Sequence, residues 1–172
     1  LAEVRALLRR YRGMLGRELP ALEERAEDYR ELPLVLPLKG TVWHGVLDRV
    51  YRVGDRWYLD DYKTDREVRP EAYRLQLALY RRALLEAWGV RAEARLVYLR
   101  AGRVHAFGEA ELEGALRILL DGGRDRVGPR QIRPLETLHL RAGELRGQPR
   151  VFAGRFDHAA PARIARHVGE LR

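Results

Sequence analysis

The chain has 172 residues, of which 46% are hydrophobic and 34% charged, a balance typical of one globular domain rather than a disordered chain. No apolar run approaches the ~18 residues that a transmembrane helix requires, and the absence of cysteine excludes disulfides, cysteine-ligated zinc and iron–sulfur clusters. The net charge of +8 and the pI of about 10.3 favour a polyanionic partner, with nucleic acid as the first choice and a merely soluble basic protein as the alternative.

The first predicted elements are two helices, at 2–15 and 20–30. Leu7, Leu8 and Tyr11 recur at helical spacing, and Pro20 suits a first helical turn. The start is rich in arginine and lacks the continuous apolar segment of a signal peptide. Because the first residue is Leu rather than Met, we expect the sequence to be part of a longer protein, although a disordered or removed start would look the same.

The strand signals come next. Residues 32–38 contain two prolines, which predicts at best an edge strand. Residues 41–53 are rich in Val, Trp, Leu and Tyr and predict a strand. Gly54-Asp55 is a two-residue hairpin signal, so residues 56–64 are predicted to return antiparallel.

The second half of the core is predicted to alternate helices and strands. A long helix opens at Pro70 and runs to about Trp88, where Gly89 ends it. The further elements predicted are strands at 92–99 and 103–107, a helix at 109–120, a weak hairpin at 138–152 and a weak helix at 161–171. We therefore divide the chain into an N-terminal helical segment (1–30), an α/β core with a mixed sheet (31–120) and a basic C-terminal extension (121–172).

The 41–64 hairpin carries the candidate catalytic residues. If Val53 pairs with Arg56, then Asp48 falls opposite Asp61, and Lys63 lies two residues further along the same face. Two facing carboxylates repel each other and require a cation, which Lys63 or an oxygen-bound divalent metal such as Mg²⁺ would supply. The alternative is a salt-bridged surface hairpin, and Arg49 opposite Asp60 on the other face is predicted to be such a pair.

The composition singles out Lys63, because the chain has 31 arginines and only two lysines, Lys39 and Lys63. Lysine is a compact charge with an adjustable pKa, whereas arginine stays protonated. A metal held by two carboxylates, with a lysine beside it, suits phosphodiester hydrolysis. No phosphate-binding Gly-rich loop and no Gly-x-Ser-x-Gly elbow competes with this interpretation.

The helix after the hairpin adds polar side chains. Tyr73, Gln76 and Tyr80 lie on one face at spacings of three and four, and they could point at a phosphate or a metal-bound water. The alternative is that Tyr80 is a core residue with its hydroxyl at the edge. The five histidines show no metal-ligand spacing; His44 has the strand parity of Asp48 and could face the rim of the site, but ordinary strand packing or solvent exposure is the favoured explanation.

These residues resemble three consecutive motifs of the RecB-family nucleases in the PD-(D/E)XK superfamily. The matching segments are Gly-Val-Leu-Asp-Arg-Val at 45–50, Leu-Asp-Asp-Tyr-Lys-Thr at 59–64 and Gln-Leu-Ala-Leu-Tyr at 76–80. The similarity covers residues 30–100, including the Glu31-Leu32-Pro33 sequence that resembles a short segment these domains carry before the first motif. The nearest resemblance is to the C-terminal nuclease domain of AddA-type (RecB-like) helicase–nucleases, which resect double-strand DNA ends.

The resemblance implies a restriction-endonuclease-like fold and a Mg²⁺- or Mn²⁺-dependent DNA nuclease, with exonuclease activity expected. Asp48, Asp61 and the backbone carbonyl of Tyr62 would be metal ligands, and Lys63 would serve the attacking water. Gln76 and Tyr80 would support the active site or the DNA strand. The implied partners are DNA ends and a helicase or ATPase region in the same or a partner chain; no membrane partner is implied. The implied role is double-strand break repair in the bacterial cytoplasm.

The sequence departs from the family in one important respect. The family has a metal-ligating histidine in a helix upstream of the first motif, and residues 1–43 contain no histidine. Either that helix lies N-terminal to this sequence, or the domain lacks it and its metal site is weaker or absent. This departure favours a rival interpretation, a DNA-binding scaffold that keeps the fold and cleaves nothing, whereas the intact Asp48, Asp61 and Lys63 oppose it. A third interpretation is a free-standing exonuclease without a motor. The absence of cysteine excludes the branches that carry an iron–sulfur cluster.

Overall fold

A computed structural model describes residues 1–122 and the short segments 133–134 and 151–152. The strands in these residues are β1 (Ala26–Leu38), β2 (Thr41–Val53), β3 (Arg56–Lys63), β4 (Glu93–Tyr98), β5 (Arg103–Ala106), β6 (Arg133–Pro134) and β7 (Val151–Phe152). The helices are α1 (Ala2–Met14), α2 (Arg74–Trp88) and α3 (Glu109–Leu120), with short 3₁₀ turns at Leu22–Glu24 and Pro70–Tyr73. Within the described part of the chain, none of the helices is long and apolar enough to cross a membrane.

The strands form one mixed sheet with the order β5-β4-β3-β2-β1-β7, and β6 pairs with β2 beyond the end of the β3 pairing. β3 lies at its centre, antiparallel to β2 and parallel to β4. The connection between β3 and β4 is α2, as expected for parallel neighbours, which need a crossover. The predicted α/β class, with a mixed sheet flanked by helices, is confirmed.

The β2–β3 hairpin has the predicted register. Gly54 adopts a left-handed conformation (φ 56°), which the tight turn requires, and Val53 pairs with Arg56. The paired stretch continues to Arg49 opposite Asp60 and ends there. Both strands run on past this point, so Asp48 and Asp61 lie at the first position where β2 and β3 are no longer paired.

The core lies between one face of the sheet and helices α2 and α3. It is built from leucines that recur on the strands and on α2; the fully buried ones include Leu34, Leu36, Leu47, Leu59, Leu79 and Leu84. Helix α2 begins after the 3₁₀ turn that Pro70 opens and ends at Gly89, whose φ of 70° is readily adopted only by glycine. Leu75, Leu79 and Leu84 of α2 are all buried in this core.

Side-chain alternation along β2 is interrupted next to Asp48. Leu47 and Val50 are three residues apart, yet both belong to the same core cluster, whereas strict alternation would place them on opposite faces. On β1 the residue at the same level is Glu31, between the pairs Arg30–Arg49 and Leu32–Leu47, and it has a left-handed φ of 49°. Such irregularities re-aim side chains next to functional sites, and here the affected residue is Asp48.

The predicted helix at 20–30 is wrong. Residues 22–24 form a 3₁₀ turn, and β1 begins at Ala26. Tyr29 pairs with Val50 of β2 and packs its ring against Trp88, with 5.1 Å between centroids. Helix propensities differ by only a few tenths of a kcal/mol per residue, so strand pairing and this aromatic contact outweigh the helical preference of the segment.

Other predictions differ in detail. The strand at 32–38 is confirmed, but it is not simply an edge, because β7 pairs with Leu34 and Val35. The first turn of the predicted 70–88 helix is 3₁₀ rather than α. The predicted helix at 161–171 and the predicted hairpin at 138–152 lie outside the described residues, except for the segment 151–152.

Candidate active site

Asp48 is held at the point where β2 and β3 separate. The backbone N–H of Tyr62, the next donor beyond the paired stretch, donates to Asp48 Oδ2 at 2.8 Å. This bond satisfies a backbone group that would otherwise lack a partner and fixes the carboxylate against β3. Because the strands separate here, the Asp48 carboxylate lies beside Asp61 and Tyr62 of β3.

Asp61 forms the centre of the cluster. Its side chain is fully buried, and its Oδ2 lies 2.6 Å from Nζ of Lys63, which is itself buried. Its Oδ1 accepts a hydrogen bond from Nε2 of Gln76 at 3.1 Å. The three side chains come from a strand and a helix that the core holds rigidly, so Asp61 has a fixed orientation.

Tyr80 supports Gln76 from the next turn of α2. Nε2 of Gln76 also donates to the Tyr80 hydroxyl at 3.3 Å, and that hydroxyl donates to the backbone oxygen of Val46 at 2.9 Å. The helix is thereby tied to β2 two residues before Asp48. Asp48, Asp61, Lys63, Gln76 and Tyr80, which the sequence singles out together, are brought into one cluster.

The electrostatics of the cluster are those of a fully buried carboxylate, Asp61, beside a half-buried one, Asp48. Burial raises the pKa of Asp61 to about 6; Lys63 opposes this shift and the charge of Asp48 adds to it. Burial likewise raises the pKa of Asp48, while the Tyr62 N–H and the charge of Lys63 lower it and Glu31 raises it. The single charge of Lys63 leaves part of the repulsion uncompensated, which favours a further cation.

Lys63 has a second partner, which the sequence does not predict. Its Nζ lies 4.1 Å from the ring centroid of Tyr73, and the Tyr73 hydroxyl donates to Asp65 Oδ2 at 2.6 Å. The sequence marks Tyr73 only as a residue on the Gln76 face of the helix. Asp65 carries no sequence signal beyond its position two residues after Lys63.

The opposite face of the same strands carries a separate buried polar network. Arg49 pairs with Asp28 through two bonds of 2.7 and 2.5 Å. Asp60 accepts from Tyr51 at 2.8 Å and pairs with Arg95 at 2.6 Å. The predicted ion pair between Arg49 and Asp60 is therefore wrong: the two are register neighbours, but each has a closer partner on another strand, and both are buried rather than at the surface.

Helix α1 joins this network through Tyr11. The Tyr11 hydroxyl accepts from Nη1 of Arg49 at 3.0 Å and from Nη1 of Arg25 at 3.4 Å, and it lies 3.3 Å from the Tyr62 hydroxyl. Tyr62 thus contributes its backbone N–H to Asp48 on one side and its side chain to this contact. On β2 and β3 the candidate catalytic residues therefore alternate with residues such as Arg49 and Asp60, whose side chains make contacts on the opposite face of the sheet.

The donors present fit a divalent cation in type. Asp48 and Asp61 are neighbouring carboxylates whose repulsion a cation would relieve, and hard oxygen donors are those that Mg²⁺ and Mn²⁺ prefer. No group of three or more His, Cys, Asp or Glu suitable for a metal occurs in residues 1–122 and the two described strand segments. The resemblance to the RecB-family motifs implies the backbone carbonyl of Tyr62 as a further ligand, which stays a prediction. His44 is half-buried on β2 at the level of β6.

Comparison with known protein families agrees with this geometry. The model of the PD-(D/E)XK nuclease superfamily matches residues 2–163. The chain belongs to the PD-(D/E)XK nuclease superfamily. The match to this nuclease superfamily extends well beyond residues 30–100, where the three motifs lie, and includes α1 and most of the region after residue 120. A search of curated proteins found no match.

Proposed function

We propose that this PD-(D/E)XK protein is a divalent-metal-dependent DNA nuclease with Asp48, Asp61 and Lys63 as its catalytic centre. The observation that carries the proposal is the contact set around Asp61, which joins Lys63 at 2.6 Å and Gln76 at 3.1 Å beside the Asp48 carboxylate. An ordinary structural salt bridge would not need two adjacent carboxylates with raised pKa values.

The residues have distinct roles in this proposal. Asp48, Asp61 and the Tyr62 carbonyl would hold Mg²⁺ or Mn²⁺, which when bound polarises the scissile phosphate. Lys63 places its ammonium beside that phosphate, where it orients the attacking water and stabilises the negative charge that develops. Gln76 holds Asp61 in orientation through its amide, and Tyr80 holds Gln76.

We further propose that the domain is the nuclease module of a DNA-end-processing helicase–nuclease, acting as an exonuclease on single- or double-stranded ends. The support is the resemblance of segments 45–50, 59–64 and 76–80 to the RecB-family motifs, in order and spacing. A Walker-type phosphate loop upstream in the complete coding sequence would support this proposal. A complete chain without a motor region would instead favour a free-standing exonuclease.

The test is cleavage of linear single- and double-stranded DNA with Mg²⁺ or Mn²⁺. Lys63→Ala and Asp61→Ala are expected to reduce the rate by about 10²–10³-fold. The matched control is Lys39→Ala, which removes the other lysine of the chain from an exposed turn and is expected to leave the rate nearly unchanged. Metal-dependent cutting that survives in Lys63→Ala would contradict the assignment of the centre.

A second candidate function is a DNA-binding scaffold that does not cleave. It is favoured by the absence of histidine from residues 1–43, where the resembled family places a metal ligand. Salt-sensitive DNA binding by the intact chain without cutting in Mg²⁺ or Mn²⁺ would support it. Calorimetric titration with Mn²⁺ separates the two functions further, because the nuclease proposal requires binding that Asp48→Ala and Asp61→Ala abolish.

A further inference from the structure

Lys63 is contacted from two directions by side chains that differ in chemistry. Asp61 Oδ2 approaches its ammonium at 2.6 Å, and the Tyr73 ring centroid lies 4.1 Å from the same Nζ. The carboxylate attracts the charge along one line, while the negative face of the aromatic ring attracts it from another. A lysine side chain has four rotatable bonds and is otherwise flexible, so two contacts restrict the ammonium far more than one.

Tyr73 is itself anchored by the loop that leaves β3. Its hydroxyl donates to Asp65 Oδ2 at 2.6 Å, and Asp65 follows Lys63 by two residues. A ring of contacts results: the backbone links Lys63 to Asp65, Asp65 accepts a hydrogen bond from Tyr73, and the Tyr73 ring contacts Lys63. Tyr73 lies at the end of the 3₁₀ turn, immediately before α2. These contacts therefore connect the loop after β3 to the helix that carries Gln76.

We propose that Tyr73, held by Asp65, is a positioning residue that fixes the ammonium of Lys63 against the Asp48–Asp61 carboxylates. The proposal rests on the nuclease function proposed above for its catalytic consequence, whereas its structural content is independent of activity. Tyr73 also packs against the hydrophobic core. The alternative role is therefore packing alone, and it makes different predictions for different substitutions.

Three substitutions separate the two roles. Tyr73→Phe keeps the ring over Lys63 and removes the hydroxyl; Tyr73→Leu keeps apolar bulk and removes the ring face. Tyr29→Leu is the matched control, since Tyr29 is a half-buried tyrosine that packs on the same core but contacts Trp88 rather than Lys63. We expect Tyr73→Leu to lower kcat by about tenfold to a hundredfold with little change in KM for DNA. Tyr73→Phe should lose much less, and Tyr29→Leu should keep the wild-type kcat.

A readout that does not depend on catalysis is nuclear magnetic resonance of lysine labelled with ¹³C at Cε. The chain has two lysines, so the spectrum has two assignable signals, from Lys63 and from the exposed Lys39. The Tyr73 ring current should shift the Lys63 signal away from that of Lys39. The shift is expected to persist in Tyr73→Phe and Tyr29→Leu and to collapse toward the Lys39 position in Tyr73→Leu.

The outcomes distinguish the possibilities. A Lys63 signal that does not move in Tyr73→Leu would overturn the positioning role, as would an equal loss of kcat in Tyr29→Leu and Tyr73→Leu. If the wild-type chain cuts no DNA, the proposed nuclease function fails, yet the two lysine signals still test the contact. Asp65→Ala is expected to produce a partial shift of the Lys63 signal, and no shift would remove Asp65 from the proposal.

Discussion

Asp48 and Asp61 are acidic side chains in an environment that disfavours their charged forms. Burial is the largest cause of the raised pKa of both; the charge of Asp48 adds to it for Asp61, and the charge of Glu31 adds to it for Asp48. A raised pKa in the folded state means that the folded protein binds a proton more readily than the unfolded chain does. In the absence of metal, these two residues therefore reduce the stability of the fold at neutral pH, as residues kept for function commonly do.

Asp48→Asn is expected to stabilise the metal-free protein at pH 8 while abolishing metal-dependent cleavage. The asparagine oxygen can still accept the Tyr62 N–H, so the hydrogen bond is kept while the repulsion of Asp61 is removed. We expect a gain of about 1 kcal/mol in the free energy of unfolding, measured by urea denaturation in EDTA. The control is Asp55→Asn in the exposed hairpin turn, and a destabilised Asp48→Asn would contradict the prediction.

The same pair has an expected pH dependence. The stability that Asp61 contributes is fully present below the unfolded pKa of 3.8 and is lost as the pH rises through about 6. The difference in unfolding free energy between Asp48→Asn and wild type should therefore narrow as the pH falls from 8 to 5. If the difference in unfolding free energy between the two proteins stays constant from pH 8 to pH 5, repulsion between Asp48 and an ionised Asp61 does not destabilise the fold.

At the scale of elements, α1 is joined to the back of β2 and β3 by the Tyr11 hydroxyl. Tyr11→Phe leaves the buried Arg49 without that acceptor at 3.0 Å, and we expect a loss of about 1–2 kcal/mol in unfolding free energy. Tyr58→Phe is the control, because it makes the same deletion on a half-buried ring that stacks on Tyr51. The comparison is made by urea denaturation, and equal effects of the two variants would refute the role of Tyr11.

The sequence predicted the elements whose signals are local. Gly54-Asp55 defined the hairpin and its register, and Pro70 and Gly89 bracketed the long helix, because turn and cap residues act through their own backbone. The segment 20–30 was misassigned, since its strand pairing and its contact with Trp88 depend on residues far away in the chain. Local patterns report local preference, and here the tertiary partners decided the outcome.

Some features of the candidate site were likewise predictable from local sequence and others were not. Asp48, Asp61 and Lys63 could be placed on one face by counting along a hairpin. The counting did not show that the strands separate at Asp48, beside the irregular backbone of Glu31 on β1. It also did not show that Tyr73 lies over Lys63, because that depends on how the turn before α2 packs against the sheet. On the other face, the pairing of Asp60 with Arg95 required knowledge that β4 lies parallel to β3.

At the scale of the whole molecule, the positive charge is unevenly distributed. Residues 121–172 have 11 arginines and 6 acidic residues, a formal charge of +5, whereas residues 1–30 have 7 arginines and 6 acidic residues. When a protein neutralises DNA phosphates, the logarithm of its affinity falls linearly with the logarithm of the salt concentration, and the slope is proportional to the number of phosphates contacted. We infer that the C-terminal region dominates the salt dependence of DNA binding.

The prediction is tested by replacing Arg141, Arg146, Arg163 and Arg166 together with Gln. The slope of log affinity against log salt concentration is expected to flatten by up to about 0.9 for each phosphate of duplex DNA that the variant no longer neutralises. The charge-matched control replaces Arg5, Arg9, Arg12 and Arg17, which are exposed and lie on or just after α1, and should flatten it less. Fluorescence anisotropy at several salt concentrations measures both, and equal slopes for the two variants would contradict the inference.

The parallel arrangement of β3 and β4 has a consequence for how such a domain diversifies. The two strands end side by side: the N–H of Leu99 donates to the Lys63 carbonyl at 2.9 Å, and Nε of Arg100 donates to the Thr64 carbonyl at 2.5 Å. The candidate catalytic residues thus lie on rigid strands, while the segments at 64–69 and around Gly102 begin just beyond them at the surface. Lengthening a surface loop costs little, about 0.6 kcal/mol per doubling. A lineage could therefore acquire new substrate preferences through insertions there while it inherits the carboxylate–lysine cluster unchanged.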